Sequence, residues 1–224
     1  MCRRAPRKLR GFACRSAAEV AALIGCAVTT GVGSVLNTAE VKAGSSVVVF
    51  GAGGVGLSTI LGAQLAGASR IIAVDLNQEK LDLAREFGAT HTLMANEDVE
   101  EQAQALTEGR GADYVFEAIG IPSVQELAFS VLRPGGSLIL TGISPMGSET
   151  NLPGAVITRK EITIKGSYYG SANTAREFPM YADLYLNGKL DLDRLISKRY
   201  SLDQINAAYD DLIEGKTARG VIVF

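Results

Sequence analysis

Ser46-Val47-Val48-Val49-Phe50-Gly51-Ala52-Gly53-Gly54-Val55-Gly56 joins two patterns that belong to different kinds of structure. Val47 to Phe50 are apolar and mostly β-branched, which suits a strand buried on both faces. Gly51, Gly53 and Gly56 follow at the spacing G-x-G-x-x-G. From Leu57 the period changes, and Leu57, Ile60, Leu61 and Leu65 fall on one face of a helix. A strand, a glycine turn and a helix in that order set backbone N–H groups at a positively polarised helix end, where a pyrophosphate can rest. In such a turn Gly51 makes the reversal, Gly53 admits the phosphate, and Gly56 lets helix and strand close together.

The glycine spacing alone is weak, because 25 glycines in 224 residues produce it by chance. Its flanks strengthen it. A second apolar run, Ile71 to Val74, ends at Asp75, 24 residues beyond Gly51. A dinucleotide-binding fold places there the carboxylate that accepts hydrogen bonds from the adenosine ribose. The other reading of Asp75 is a helix N-cap, with Gln78 completing a capping-box pair. In the ribose role Asp75 favours NAD over NADP, because a carboxylate repels a 2′-phosphate.

Composition sets the outer bounds. With 47% hydrophobic and 21% charged residues the chain resembles an ordinary globular protein with a substantial core. A net charge of −2 gives no reason to expect nucleic acid or a membrane surface as partner. No run of 18 apolar residues occurs, so the sequence predicts no membrane span. Cys2, Cys14 and Cys26 cluster near the start, an odd set that suits a reducing cytoplasm better than a disulfide framework.

Residues 1–16 form a basic leader with Arg3, Arg4, Arg7, Lys8, Arg10 and Arg15 and no acids, read as disordered or as a transit peptide. Beyond it, Val32 to Val41 reads as a helix entering the central motif. Gln78 to Phe87 reads as a helix with Leu81, Ala84 and Phe87 inward, and Thr92 to Met94 as a short strand. A polar helix over 98–108, a strand over Tyr114 to Ala118, a helix opened by a Ser123/Glu126 capping box and a strand over Leu138 to Leu140 complete the alternation. Ile162 to Tyr168 adds a sixth strand with no obvious helix before it. This order predicts an α/β fold, a Rossmann-type doubly wound parallel sheet of six strands with helices on both faces, over residues 17–170. In 171–224 the texture shifts. A helix over 174–187, a charged stretch with little pattern, a helix opened by Ser201 and Gln204, and a closing strand over Gly220 to Phe224 are expected.

At this point several motifs resemble one family. Leu23-Ile24-Gly25-Cys26, Thr30-Gly31, the Gly51–Gly56 turn, Ala73-Val74-Asp75-Leu76-Asn77 with Lys80, Phe116-Glu117-Ala118-Ile119-Gly120 and Ala218-Arg219-Gly220-Val221 occur in the order of the zinc-dependent medium-chain alcohol dehydrogenases. The branch most resembled includes glutathione-dependent formaldehyde dehydrogenase. The resemblance implies NAD as cofactor, with Gly51, Gly53, Gly54, Val55 and Gly56 at the pyrophosphate and Asp75 and Lys80 at the adenine ribose. It implies that Ile119 and Gly120 line the adenosine side, that Thr30, Thr141, Gly142, Ile143, Ser167 and Tyr169 flank the nicotinamide, and that Arg219 supplies a cation to the phosphates. Bland readings stand beside these. Lys80 and Arg219 fit a solvated surface, Thr141 and Tyr169 fit packing, and His91, the only histidine, reads as structural.

Where the family holds a catalytic zinc, this sequence matches one ligand, Cys26. The family's other cysteine and its histidine belong to a preceding domain, and one thiolate does not make a site that needs three protein ligands. As it stands Cys26 also reads as a small buried apolar residue. The family reaction is hydride transfer from a primary alcohol, or an S-hydroxymethyl thiol adduct, to NAD. Three readings follow: the NAD-binding portion of such a dehydrogenase, an inactive nucleotide-binding or dimerisation module, and an S-adenosylmethionine methyltransferase. A homodimer paired through the edge strand Ile162 to Tyr168 is expected, together with an exposed apolar face at Ile205, Tyr209 and Leu212, where the C-terminal segment packs in the family on the catalytic domain.

Overall fold

The computed structural model describes residues 15–215 and 217–224. The expected leader falls almost wholly outside them; Arg15 and Ser16 already belong to a helix.

Ser46–Phe50 forms strand β1, buried at every position. It pairs in parallel with β2 (Arg70–Asp75) on one side and β4 (Ala112–Glu117) on the other. With β3 (His91–Met94), β5 (Leu132–Leu140) and β6 (Thr163–Gly166) the sheet runs β3-β2-β1-β4-β5-β6 and is parallel throughout. That is the doubly wound order, and it reverses direction between β1 and β4.

Alternation along β1 sorts the two layers. Val47 and Val49 face a core that includes Leu57 and Ile60 of α3 (Gly54–Leu65) and Leu81 and Ala84 of α4 (Gln78–Glu86). Val48 and Phe50 face the opposite core, with Val99 and Ala103 of α5 (Val99–Leu106) and Ala128 and Phe129 of α6 (Pro122–Ser130). One strand therefore organises both faces, as its unbroken apolar run anticipates.

The helix before β1 is longer than the expected Val32 to Val41. It runs over 15–39 as α1 (Arg15–Leu23), a π-turn at Ile24–Val28, α2 (Thr29–Gly33) and a second π-turn at Ser34–Ala39, and stops at left-handed Glu40. By length and composition Ala18–Ala39 would cross a membrane, but 61% of its most apolar window is buried in the protein. It is a core helix, pressed so closely on α3 that a Cβ at Gly31 would lie 2.5 Å from the Cβ of Ser58.

Several local readings are corrected. The Asp75/Gln78 capping box does not form. Asn77 is the N-cap of α4 and accepts from Glu79 N at 2.8 Å, while Asp75 ends β2. The Ser123/Glu126 box does not form either. Pro122 opens α6, its fixed φ and missing N–H suiting the first turn, and Glu126 instead accepts from Asn151 N at 2.8 Å. The Ser201/Gln204 box does form. A short helix, α7 (Gly154–Arg159), precedes β6. The patternless charged stretch contains β7 (Ile196–Ser201), paired in parallel with β8 (Arg219–Val223). Between them α9 (Ile205–Ile213) buries none of its residues and leaves Tyr209 59% and Leu212 54% exposed. In contrast, α8 (Thr174–Leu186) sends Tyr181 and Ala182 into the main core.

At the N-terminal ends of the strands Asp113 fastens three of them. Its carboxylate accepts from Ser46 N at 2.8 Å, from Ser46 Oγ at 2.7 Å and from Arg133 Nε at 2.6 Å. Burial works against the charged form, but the bonds from the Ser46 backbone, Arg133 and the Ser46 hydroxyl outweigh it and hold the carboxyl below its ordinary value. A depressed carboxyl stabilises the fold above the unfolded-state pKa, and that contribution fades as pH falls through the folded value. Asp113→Asn should cost about 1 to 3 kcal/mol by urea denaturation at pH 7, and the gap to the parent should narrow below about pH 4. A gap that widens with acid would contradict this account.

Candidate functional site

All six parallel strands end on one rim, and the reversal between β1 and β4 opens a crevice there. Gly51 leaves β1 with φ +94°, and its N–H bonds Val74 O at 2.8 Å. Gly53 is the extended N-cap of α3, and a Cβ built on it meets nothing within 4 Å. A Cβ on Gly56 would overlap the carbonyl oxygen of Gly51. The three positions thus divide as the spacing predicts: one turns, one faces open space, and one permits contact between backbones.

Asp75 stands across this turn. Its Oδ2 accepts from Ala52 N at 2.8 Å and its Oδ1 from Asn77 N at 3.0 Å. Gly51, Gly53, Asp75, Lys80 and Ile119 line one cavity of about 580 Å3. Its remaining wall is largely apolar, with Phe50 of β1, Ala118 and Ile121 of the β4–α6 loop, and Val124 and Leu127 of α6. The reading of the sequence did not find the Ile121–Val124–Leu127 wall. Its only signal was the apolar spacing of α6, which reads equally well as core.

Arg219, at the start of β8, reaches the same helix end. A Cβ on Gly54 would overlap the Arg219 side chain, and Arg219 Nε is buried with no hydrogen-bond partner among the described residues. A buried donor without an acceptor is costly and calls for a partner.

The residues expected at the other half of the crevice hold structural bonds and do not line this cavity. Thr141 Oγ1 donates to Glu117 O at 2.6 Å. Ser167 and Thr38 share a hydroxyl bond at 2.8 Å, and the Tyr169 hydroxyl donates to Gly25 O. Ile143 is 77% exposed beside Gly120 and Gly142, whose backbones leave no room for a side chain between them. Thr30 is half-buried on α2, and Val55 touches that helix through its carbonyl oxygen at Gly31.

Glu117 is a residue that sequence reasoning gave no role. It is fully buried, and its Oε1 accepts from Ile119 N and Gly120 N, both at 2.7 Å. It shapes the turn that carries Ile119 into the cavity.

Cys26 is an exposed free thiol lining a pocket of about 270 Å3 with Arg219 and Val221. Among the described residues no three His, Cys, Asp or Glu side chains are placed to hold a metal ion. His91 Nδ1 bonds Thr90 Oγ1 at 2.9 Å on β3, at the far edge of the sheet. Cys26 with its described neighbours therefore does not fit a zinc site; Cys2 and Cys14 lie outside the described residues.

A doubly wound sheet with a glycine turn at its reversal and an acid at the end of β2 defines a dinucleotide-binding protein. Residues 54–187 match the family model described as "Zinc-binding dehydrogenase", and the chain belongs to that family. It is 39% identical over 208 residues to an NDMA-dependent alcohol dehydrogenase of Amycolatopsis methanolica, covering 92% of this chain and 56% of that one. It is 38% identical to an S-(hydroxymethyl)glutathione dehydrogenase of Paracoccus denitrificans, covering 90% and 56%. Among solved structures, benzyl alcohol dehydrogenase from Acinetobacter calcoaceticus superposes with a TM-score of 0.86 at 31% identity, over 98% of this chain and 57% of that one. The chain thus spans about half the length of the curated relatives it matches. The relatives are dehydrogenases, which sets the methyltransferase reading aside.

Gly53 and Gly56 separate the two demands on the turn. Gly53→Ala should leave stability within about 1 kcal/mol of the parent, because the position is open and its backbone suits any residue. Gly56→Ala should cost about 2 to 4 kcal/mol, since the new methyl forces α3 away from β1. Equal thermal midpoints for the two variants would refute the assignment.

Proposed function

We propose that this chain binds NAD across the strand-end crevice and carries the dinucleotide-binding fold of an alcohol dehydrogenase. One observation carries the reading: the buried, unpartnered Arg219 Nε lies over Gly54, beside the open face of Gly53, at the positive end of α3. An anion seated there would satisfy the donor, meet the first-turn N–H groups and lie in the favourable field of the helix. Pyrophosphate has that charge and fits against a bare Gly53.

Asp75, fixed by two backbone N–H groups, turns its remaining lone pairs to the ribose hydroxyls. Ile119, Ile121, Val124 and Leu127 give the adenine an apolar slot, and Lys80 borders it. Asp75 selects against a 2′-phosphate, whose repulsion is worth about 1 to 4 kcal/mol per unit-charge pair at 4 Å. Here 17–170 supplies the sheet and turn, and 171–224 contributes Arg219 to the same site.

When bound, NAD supplies the hydride acceptor; this chain's residues bind it, orient it and shield one face of it from water. A primary alcohol, or the S-hydroxymethyl adduct of a thiol, is the substrate class its relatives' names support. No step is assigned to zinc, because Cys26 lacks fitting partners among the described residues. We also place the chain in the cytoplasm as a homodimer, joined through β6. That strand is the outer member of the sheet, pairs among the described residues only with β5, and leaves three of its four residues exposed.

Titration with NADH, followed by nicotinamide fluorescence, should give saturable binding. Arg219→Ala should weaken it roughly ten-fold or more, as expected for loss of a charge-assisted bond. Asp75→Ser should shift the preference from NADH toward NADPH. No saturation in the parent, or an unchanged preference in Asp75→Ser, would sink the proposal.

A further inference from the structure

Three unusual features meet at the β6 side of the rim. Tyr169, Gly170 and Ser171 are consecutive left-handed residues, with φ of 53°, 64° and 50°. Two of the three carry side chains, and a non-glycine residue held there is strained unless its surroundings fix it. The helix beneath them contains the two π-turns, a distortion frequent at functional sites. Behind both lies Glu177, a carboxylate that is 1% exposed.

Asn37 connects them. It sits in the second π-turn, and its Nδ2 donates to Gly170 O at 3.0 Å and to Glu177 Oε2 at 2.9 Å. Both amide protons are thereby used, one on the strained turn and one on the buried acid. Glu177 Oε1 accepts from Arg176 at 3.0 Å and Asn173 N at 3.3 Å, and the Tyr181 hydroxyl lies 3.5 Å from Oε2. Thr38 Oγ1 is 2.8 Å from both Ser167 Oγ and Ser171 Oγ, so it brackets the turn at its two ends. Gly33 approaches so closely that a Cβ there would stand 2.6 Å from Gly170 O.

Packing alone does not require this arrangement. An apolar side chain at 177 would fill the space without burying a carboxylate, which is costly unless the group is paired and hydrogen-bonded, as Glu177 is. What the charge supplies is an oriented acceptor that fixes the Asn37 amide, which then fixes the turn. The turn follows the C-terminal end of β6, so it lies on the same rim as Gly51. It rests on α2, which touches Val55 O and Ser58 of α3 through Gly31. A dinucleotide lies across such a rim, one half over each side of the reversal. Asp75 takes the adenosine half on the β2 side, leaving the β4–β6 side to the other half.

We infer that Glu177 and Asn37 are positioning residues that hold the left-handed Tyr169–Ser171 turn in place as the wall for the nicotinamide half of the cofactor. The inference rests on the NAD reading and names the residues that set its second half. The test measures NADH and ADP-ribose affinities of the full chain, parent and Glu177→Gln. ADP-ribose keeps the adenosine and pyrophosphate and lacks the nicotinamide. Glu177→Gln should weaken NADH roughly three- to ten-fold, the scale of one weakened hydrogen bond, with ADP-ribose affinity unchanged. A purely structural residue would lower the thermal midpoint and leave that ratio where it was. Should Glu177→Gln not fold, Thr38→Val, which unties Ser167 and Ser171, should show the same split. An unchanged ratio in a folded variant overturns the inference while leaving the NAD reading intact. A parent that binds neither ligand overturns both.

Discussion

The close contact of Gly56 with the carbonyl of Gly51 is the constraint from which the rest of the molecule follows. With no side chain at 56, the first turn of α3 descends onto the end of β1 and aims its N–H groups at the crevice. With α3 that low, α2 can lie against it at Gly31, and the helix over 15–39 becomes part of the core. That helix in turn supplies the surface on which the turn after β6 rests. A methyl group at 56 would therefore disturb more than a phosphate site, because three layers take their spacing from it.

A second theme is how acids are used. Asp75 and Glu117 each accept two backbone N–H groups, Asp113 accepts one, and Glu177 accepts one at 3.3 Å. Strand ends leave such donors without ladder partners, and a carboxylate satisfies two at once in a fixed geometry. Asp113 does this at the rear of the sheet, where it ties β1 and β4 to Arg133 of β5. The other three do it at the front, each under a different loop of the rim. The crevice is thus shaped by hydrogen-bonded acids, Glu117 and Glu177 of them buried, before any ligand enters it.

This explains which parts were legible in the sequence. β1, the glycine turn and Asp75 could be read because their signals are local: an apolar run, a spacing, and an acid at the end of the next strand. The doubly wound order followed from alternation alone. Asn77 defeated the Asp75 capping reading because a strand-end acid and a helix cap look alike until the boundary is known. β7 was missed because Ile196 and Tyr200 are its only buried residues and a register shift breaks the period of two. Glu117, Asn37 and Glu177 gave no usable signal. Asn37 meets Glu177 across 140 residues, and only the assembled fold shows that the two are neighbours.

The same geometry separates holding from converting. Of the residues lining the main cavity, Asp75, Lys80 and Glu214 are the ionisable ones. Asp75 is committed to two backbone N–H groups, from Ala52 and Asn77. Arg219, at the helix end, presents the planar fork of donors that suits a phosphate. In the proposed complex their contribution is orientation: an anion drawn to one helix end, a ribose met by one acid, and an adenine held against an apolar wall. A ligand gripped at those three points would have little freedom left, so on the proposed reading the position of its remaining half falls to the opposite rim, where Asn37 ties the left-handed turn to Glu177.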